Sequence, residues 1–351
     1  MTVKNAAEID KNFAVNSSID KSEFNFYSAE ELSVHGVTKI DGIFRRMRYE
    51  DAKRVSENVA LISTECAGGR CRFATDSERV AILVKYRSVA KVSNYSYTAT
   101  LGFDLYTGGH YVGCFVPPQN TADTLEGVIN TENIEREMRV YTLNFPVCSE
   151  ICELYVGIDK GAQMESASEY SISKPIVFYG SSTTQGACAS RPGNTYENMI
   201  SRALDCDYIN LGFWGNALGE VAMAEYIASL DMSVFVYDYD YNSPSAEHLE
   251  KTHEKMFKII REKNPELPII MLSAPKCELD KEFKKRVAII KRTYKNAIAC
   301  GDKHVKFMSG RAILKGIEGV ALADNIHPGD MGFSNIAKCL IKEIKKMLPH
   351  G

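Results

Sequence analysis

The chain has 351 residues, 45% hydrophobic and 25% charged, with a formal net charge of -3. This is an ordinary globular composition, and at roughly 100–200 residues per domain the length favours two domains. The acidic balance, with no dense Lys/Arg run carrying interleaved aromatics, argues against nucleic acid as a partner, and no apolar run approaches the ~18 residues of a membrane-spanning helix.

The opening stretch "MTVKNAAEIDKNFAVNSSID" is polar, carries both charge signs and lacks the apolar core of a secretory signal. "SAEEL" reads as a short helix, followed by a strand that wraps what comes next. From about Ile43 to Asp159 the pattern is strand-like: "RVAILVKYRS", "SYTATLGFDLY", "YVGCFVPP", "MRVYTLNFPV" and "CELYVGID", separated by turns such as "AGGR", "TGGH" and "PPQN". Short strands at regular spacing predict a β-sandwich. The ten cysteines are scattered, with no CxxC and no zinc spacing. Cys148 and Cys152 read as buried thiols, and Cys114, Cys206 and Cys339 as small hydrophobes in apolar patterns. A reduced, cytoplasmic setting is expected.

The period changes at Pro175. "PIVFYG", "DYINLGF", "SVFVYDYD", "LPIIMLSAP" and "HVKFMSG" read as strands. They alternate with helices in "TYENMISRAL", "LGEVAMAEYIASL", "SAEHLEKTHEKMFKIIREKN", "DKEFKKRVAIIKRTYKNAIACG" and "GDMGFSNIAKCLIKEIKKML". Strict alternation with continuous apolar strands predicts a parallel sheet flanked by helices. The join falls in "GAQMESASEYSISK", which divides the chain into a β-sandwich domain, 1–170, and an α/β domain, 171–351.

In an open parallel sheet, function gathers beyond the carboxyl ends of the strands. Ser181-Ser182-Thr183-Thr184 follows the first such strand, Gly212, Gly215 and Asn216 the second, and Asp238, Asp240 and Asn242 the third. Asp324 and His327 stand three apart in "ADNIHPGD", where a carboxylate can fix a histidine's tautomer. Together these supply a nucleophile, a base, an orienting carboxylate and oxyanion donors, the set needed for acyl transfer without metal or cofactor. Alone, the Ser-Ser-Thr-Thr run would read as a turn and helix cap. Asp330 reads as the N-cap of the last helix, and His248 and His253 as residues of a solvated helix face. Asp238 and Asp240 lack the further ligands of a metal site. Arg191 lies near Ser182 in sequence and either binds substrate or pins its loop. His110 in "TGGHY" reads as a loop residue that could line the cleft.

The order of these motifs resembles the SGNH hydrolases, the GDSL-type esterase and lipase superfamily, over about residues 174–349. The resemblance implies a flavodoxin-like sheet of about five strands, with Ser182 as nucleophile in "GSS", where Ser replaces the family's Asp. It implies Gly215 of "GFWGN" and Asn242 of "DYDYNS" as oxyanion donors beside the Ser182 N–H. "DNIH" matches the last block in full, with Asp324 and His327 completing a triad. "LGFDLYTGG", "FRRM" and "RFATDSERV" look like the GxDLY N-terminal β-domain that accompanies one subgroup of these hydrolases, and in related two-domain carbohydrate esterases the β-domain is a jelly roll beside the catalytic cleft. There, Gly102, Asp104 and Tyr106 read as structural, holding the sandwich or shaping the seam between domains. The expectation is a serine esterase for short acyl groups, acetyl foremost, on a small-molecule or oligosaccharide ester. It needs no cofactor, metal or membrane and is compatible with a homo-oligomer. The alternatives are a non-catalytic carbohydrate-binding protein and an acyltransferase using the same triad.

Overall fold

The computed structural model describes residues 19–278 and 280–348; most of the polar N-terminal stretch read above lies outside them. The first half contributes strands β1 (Phe24–Ser28), β2 (Ser33–His35), β3 (Thr38–Ile40), β4 (Ile43–Arg45), β5 (Arg70–Thr75), β6 (Arg79–Ser88), β7 (Phe103–Thr107), β8 (His110–Phe115), β9 (Thr124–Asn130), β10 (Arg139–Asn144), β11 (Glu150–Asp159) and β12 (Met164–Ser166). Two antiparallel sheets form, in the orders β1-β11-β6-β9 and β12-β5-β10-β7-β8, with β2 added to β5. Their inner faces share one core: Val80, Ile82, Val84, Ile151 and Val156 from the first sheet meet Phe73, Phe103, Leu105, Tyr141 and Leu143 from the second. The alternation along β9, buried at Leu125, Gly127 and Ile129, is the period-two signature of a strand with one face in that core.

Three helical pieces interrupt the sandwich: α1 (Tyr49–Val55), α2 (Glu57–Ile62) and α3 (Tyr97–Thr100). The sequence reading missed α1 and α2 as well as β5 and β9, and it ran Tyr97–Thr100 into the strand that begins at Phe103. There the Ser96 hydroxyl accepts the Thr98 N–H and winds one helical turn first. "SAEEL" forms only a single 3-10 turn, Ala29–Glu31.

The second half supplies β13 (Ile172–Gly180), β14 (Cys206–Gly212), β15 (Val234–Asp238), β16 (Ile269–Leu272) and β17 (Val305–Met308). With them come helices α4 (Ser182–Gln185), α5 (Tyr196–Leu204), α6 (Val221–Ser229), α7 (Ala246–Lys263), α8 (Lys281–Ala299), α9 (Gly310–Leu314) and α10 (Asp330–Met347). The sheet is wholly parallel in the order β14-β13-β15-β16-β17. After β13 the chain steps to one side for β14 and to the other for β15. The carboxyl end of β13 is therefore the topological switch point at which open α/β sheets bind ligands. Helices cover both faces. One core joins β13, β15 and β16 to α6, α7 and α8, the other joins them to α5, α9 and α10. Met47, Ala52, Val59 and Ile62 from α1, α2 and their approach also lie in the first of these cores, so this early segment packs with the parallel sheet.

Candidate active site

Strand register brings the relevant loops together. Gly180 pairs with Gly212 of β14 and with Asp238 of β15, so the three strands end at one level. Ser182, Gly215 and Asn242 follow those ends by two, three and four residues. Gly180 is obligatory at this crowded point, because a Cβ there would collide with the Asp238 carboxylate and the Thr184 hydroxyl. The Ser181 side chain accepts the Thr183 N–H and starts α4, and Gly186, at φ +106°, stops it after one turn. Ser182 is thus the first residue of a short turn at the end of a buried strand, and it alone of Ser181–Gln185 is incompletely buried.

The Ser182 Oγ lies 2.9 Å from His327 Nε2, and His327 Nδ1 lies 2.8 Å from Asp324 Oδ2. An ionised carboxylate only accepts, so Nδ1 carries the proton and Nε2 is left to accept from the serine. Asp324 Oδ1 accepts the backbone N–H groups of Ile326 at 2.7 Å and His327 at 2.6 Å, which folds the DxxH segment onto itself. Partial burial pushes the Asp324 carboxyl up. The hydrogen bonds from His327, from the Ile326 N–H and from Asn94 outweigh that and hold it well below the usual carboxylate range.

Two residues the sequence reading did not single out come from the first half of the chain. The Asn94 side chain donates to Asp324 Oδ2 at 2.7 Å, and Tyr95 packs edge-on against the His327 ring at 5.9 Å between centroids. Neither stands in any motif. Cys188 adds a thiol 3.6 Å from Asp324 Oδ2, and burial with the nearby Asp324 charge lifts it to about 12, so it stays protonated. Cys188, Asp324 and His327 are the one set of three ligating side chains, among the described residues, whose atoms lie within 4.8 Å of one another. Asp324 and His327 are already committed to each other there.

Gly215 sits at φ +68° in an exposed turn, and a Cβ added to it would meet nothing within 4 Å, so the space over its backbone is open to a ligand. The turn is held from three sides. The Asn242 Nδ2 donates to Phe213 O at 2.8 Å, and the Trp214 N–H donates to Gln185 Oε1 at 3.2 Å. The Trp214 indole N–H donates to Glu65, which also accepts from Gln185 Nε2. Beneath, the buried Arg46 of "FRRM" donates to the carbonyls of Gly212, Ile62 and Glu65 and lies 4.7 Å from the Phe213 ring centre. Burial pushes the Glu65 carboxyl up to about 7, partly offset by the Arg46 charge.

Arg191 belongs to the seam. Its Nη2 donates to the Tyr106 hydroxyl at 2.9 Å, its Nε stands 3.2 Å from Asp104 Oδ2, and its guanidinium lies 4.1 Å from the Tyr111 ring centre. Asp104 also accepts the Gly193 N–H at 2.8 Å. The GxDLY strand therefore grips the loop that follows the serine, as a seam-shaping role for Asp104 and Tyr106 requires. His110 is exposed where β7 turns into β8, paired with Thr107, and makes no hydrogen bond to Ser182, His327 or Asp324 among the described residues.

Four sequence expectations need correction. Asp330 is not the N-cap of α10: Gly329 occupies that position. The Asp330 carboxylate reaches the Ser190 N–H, the Ser190 hydroxyl and Asn194, tying the loop after the serine to the last helix. His253 is not solvated but 2% exposed, bonded to Thr293 and stacked on Tyr237, and burial pushes its imidazole down to about 3. His248 is half-buried, its Nε2 2.8 Å from Leu218 O. Cys152 is only half-buried, unlike Cys148. Asp238 and Asp240 face different partners, the Thr184 hydroxyl and the Ala274 N–H respectively.

Residues 173–345 match the model of the GDSL-like lipase/acylhydrolase family, and residues 24–164 match that of the N-terminus of SGNH-hydrolase-type esterases. Among solved structures, the chain is similar to a Bacteroides ovatus protein assigned as a GDSL-like lipase, at 25% identity and a TM-score of 0.83, covering 92% of this chain and 98% of that one. It is similar to the salicylyl-acyltransferase SsfX3 of a tetracycline biosynthetic pathway at 20% identity and a TM-score of 0.74, covering 92% and 97%. An acetyl xylan esterase from the rumen bacterium Butyrivibrio proteoclasticus aligns at 12% identity with a TM-score of 0.60, covering 92% and 98%. A comparison with curated protein sequences found no match.

Proposed function

The chain belongs to the GDSL-like lipase/acylhydrolase family and is an ester hydrolase of its GxDLY subgroup, and we propose that it is a serine esterase that removes short acyl groups, acetyl foremost, from a carbohydrate. The observation that carries this reading is the unbroken relay from Ser182 Oγ through His327 to Asp324. In this reading His327 Nε2 takes the Ser182 proton as Oγ attacks the ester carbonyl. The same proton passes to the departing alcohol, and Asp324 stabilises the imidazolium between the two events. Water, deprotonated by His327, then releases the acid from the acyl-enzyme. The N–H groups of Ser182 and Gly215 and the Asn242 amide are the proposed donors to the oxyanion. The short-acyl, carbohydrate part of the reading rests on the likeness of fold to acetyl xylan esterase. Capture of the same acyl-enzyme by an alcohol other than water is the alternative outcome, suggested by the likeness to an acyltransferase. A reducing, cytoplasmic setting belongs to the same proposal and is supported by ten free cysteines.

The test is p-nitrophenol release from its acetate, butyrate and octanoate esters, wild type beside Ser182→Ala, followed by acetylated xylo-oligosaccharides with and without added alcohols. Hydrolysis that falls with chain length and vanishes in the variant is expected. A Ser182→Ala protein that retains turnover would remove the serine from the mechanism.

A further inference from the structure

A cavity of about 240 Å³ opens in the seam between sandwich and parallel sheet, and neither Ser182, His327 nor Asp324 lines it. Two arginines do. Arg72, on β5, is 6% exposed, and its Nε and Nη1 have no hydrogen-bond partner among the described residues. Arg202, on α5, likewise has an unpartnered Nη1. Their guanidinium carbons lie 3.9 Å from the Tyr170 ring centre and 4.0 Å from the Tyr106 ring centre. An aromatic face offsets part of a cation's charge but leaves in-plane N–H groups without acceptors.

The carboxylates around the cavity are committed elsewhere. Asp104 accepts from Asn144 and Gly193 and sits against Arg191; Asp205 accepts from Ser171; Asp207 pairs with Arg70. Arg72 is therefore a buried cation and Arg202 a half-buried one, and among the described residues no carboxylate bonds to either, Asp104 acting on Arg202 only through its charge; folded proteins avoid a buried cation of this kind unless a counter-charge completes it. Asn144 adds a buried Oδ1 that also lacks a partner, and this acceptor calls for a hydroxyl donor on the same ligand.

We propose that this seam cavity is a binding site for a small phosphate-bearing molecule. Its phosphoryl oxygens would accept from Arg72 and Arg202 and a hydroxyl would donate to Asn144. Guanidinium forks match phosphate oxygens in geometry, and the two tyrosine faces form apolar walls for whatever carries the phosphate. The ligand bridges β5 of the sandwich and α5 of the parallel-sheet unit, so it stabilises their association.

The experiment is a thermal-shift and calorimetric titration of the full chain with inorganic phosphate and with glucose 6-phosphate, against sodium chloride at matched ionic strength. A saturable rise in Tm and a measurable Kd are expected for at least one phosphate, weakened tenfold or more in Arg202→Gln. Tighter binding of the sugar phosphate identifies a monoester, and equal binding identifies the free ion. Should the variant fail to fold, phosphate protection of Arg72 and Arg202 in the wild type against phenylglyoxal, read by peptide mass spectrometry, gives the same answer. Shifts equal to those in chloride, or binding indifferent to Arg202→Gln, or two arginines modified equally with and without phosphate, overturn the proposal.

Discussion

Asn94 and Asp324 are 230 residues apart in sequence and 2.7 Å apart in space. The sandwich half of the chain thus touches the carboxylate behind His327, and the hydrogen bonding of Asp324 is complete only when both halves are assembled. Asn94→Ala removes one donor from an ionised acceptor, and such bonds contribute about 1.5–3 kcal/mol. The expected outcome is a kcat roughly tenfold lower with KM little changed, since tenfold corresponds to about 1.4 kcal/mol of barrier. Asn94→Asp sets a second carboxylate against Asp324, and like charges that close raise the pH at which both are ionised. The acid limb of the pH–rate profile should therefore move to higher pH, and steady-state kinetics between pH 5 and 9 check both variants.

Asn242 has a structural and a proposed chemical role at once. Its amide already donates to Phe213 O and so holds the Gly215 turn. Loss of one oxyanion donor typically costs about 2.7–4 kcal/mol of barrier. Asn242→Ala should lower kcat by about 10²–10³ with an intact fold by circular dichroism. Unchanged turnover would leave it only the structural part.

Glu65 acts one layer further back, holding Trp214 and Gln185 on either side of the Gly215 turn. Glu65→Ala should reduce kcat by roughly tenfold, as expected when a positioned donor drifts from its place. It should also blue- or red-shift the emission of Trp214, the chain's one tryptophan, which is 47% exposed. A fluorescence change without a rate change would separate the tryptophan's environment from catalysis.

Asp104 makes the seam sensitive to pH. Burial pushes its carboxyl up to about 6, despite hydrogen bonds from Asn144 and Gly193 and the Arg191 charge. An acid whose folded pKa lies above its unfolded value binds more protons when folded. Its contribution is therefore fully present below about pH 4 and is lost as pH rises through about 6. Asp104→Asn should gain stability relative to wild type across that window, by a few kcal/mol at most. Thermal unfolding at pH 4, 5, 6 and 7 measures the difference, and a constant offset would show that Asp104 does not titrate there.

Much of the molecule is legible in its sequence because the signals are local. The β13–α10 alternation follows from apolar strand runs and from helices opened by caps such as Thr195, Ser245 and Asp280, each accepting the N–H three residues on in its own helix. The Asp324–His327 pair is equally local, closed by N–H groups of the same turn. Helices α1 and α2 were illegible among strand patterns, because their apolar residues serve the core of the distant parallel sheet. The roles of Arg191 and Asp330 were left open or misread, since each side chain's partner lies on an element that is remote in sequence. Asn94, Tyr95 and Glu65 carry no periodicity or motif spacing at all. Sequence determines which residues can donate, accept or be buried, and with it the elements those residues build. Which donor meets which acceptor across the seam is decided only when packing closes the two halves, because a hydrogen bond depends on separation in space and leaves no trace in sequence spacing.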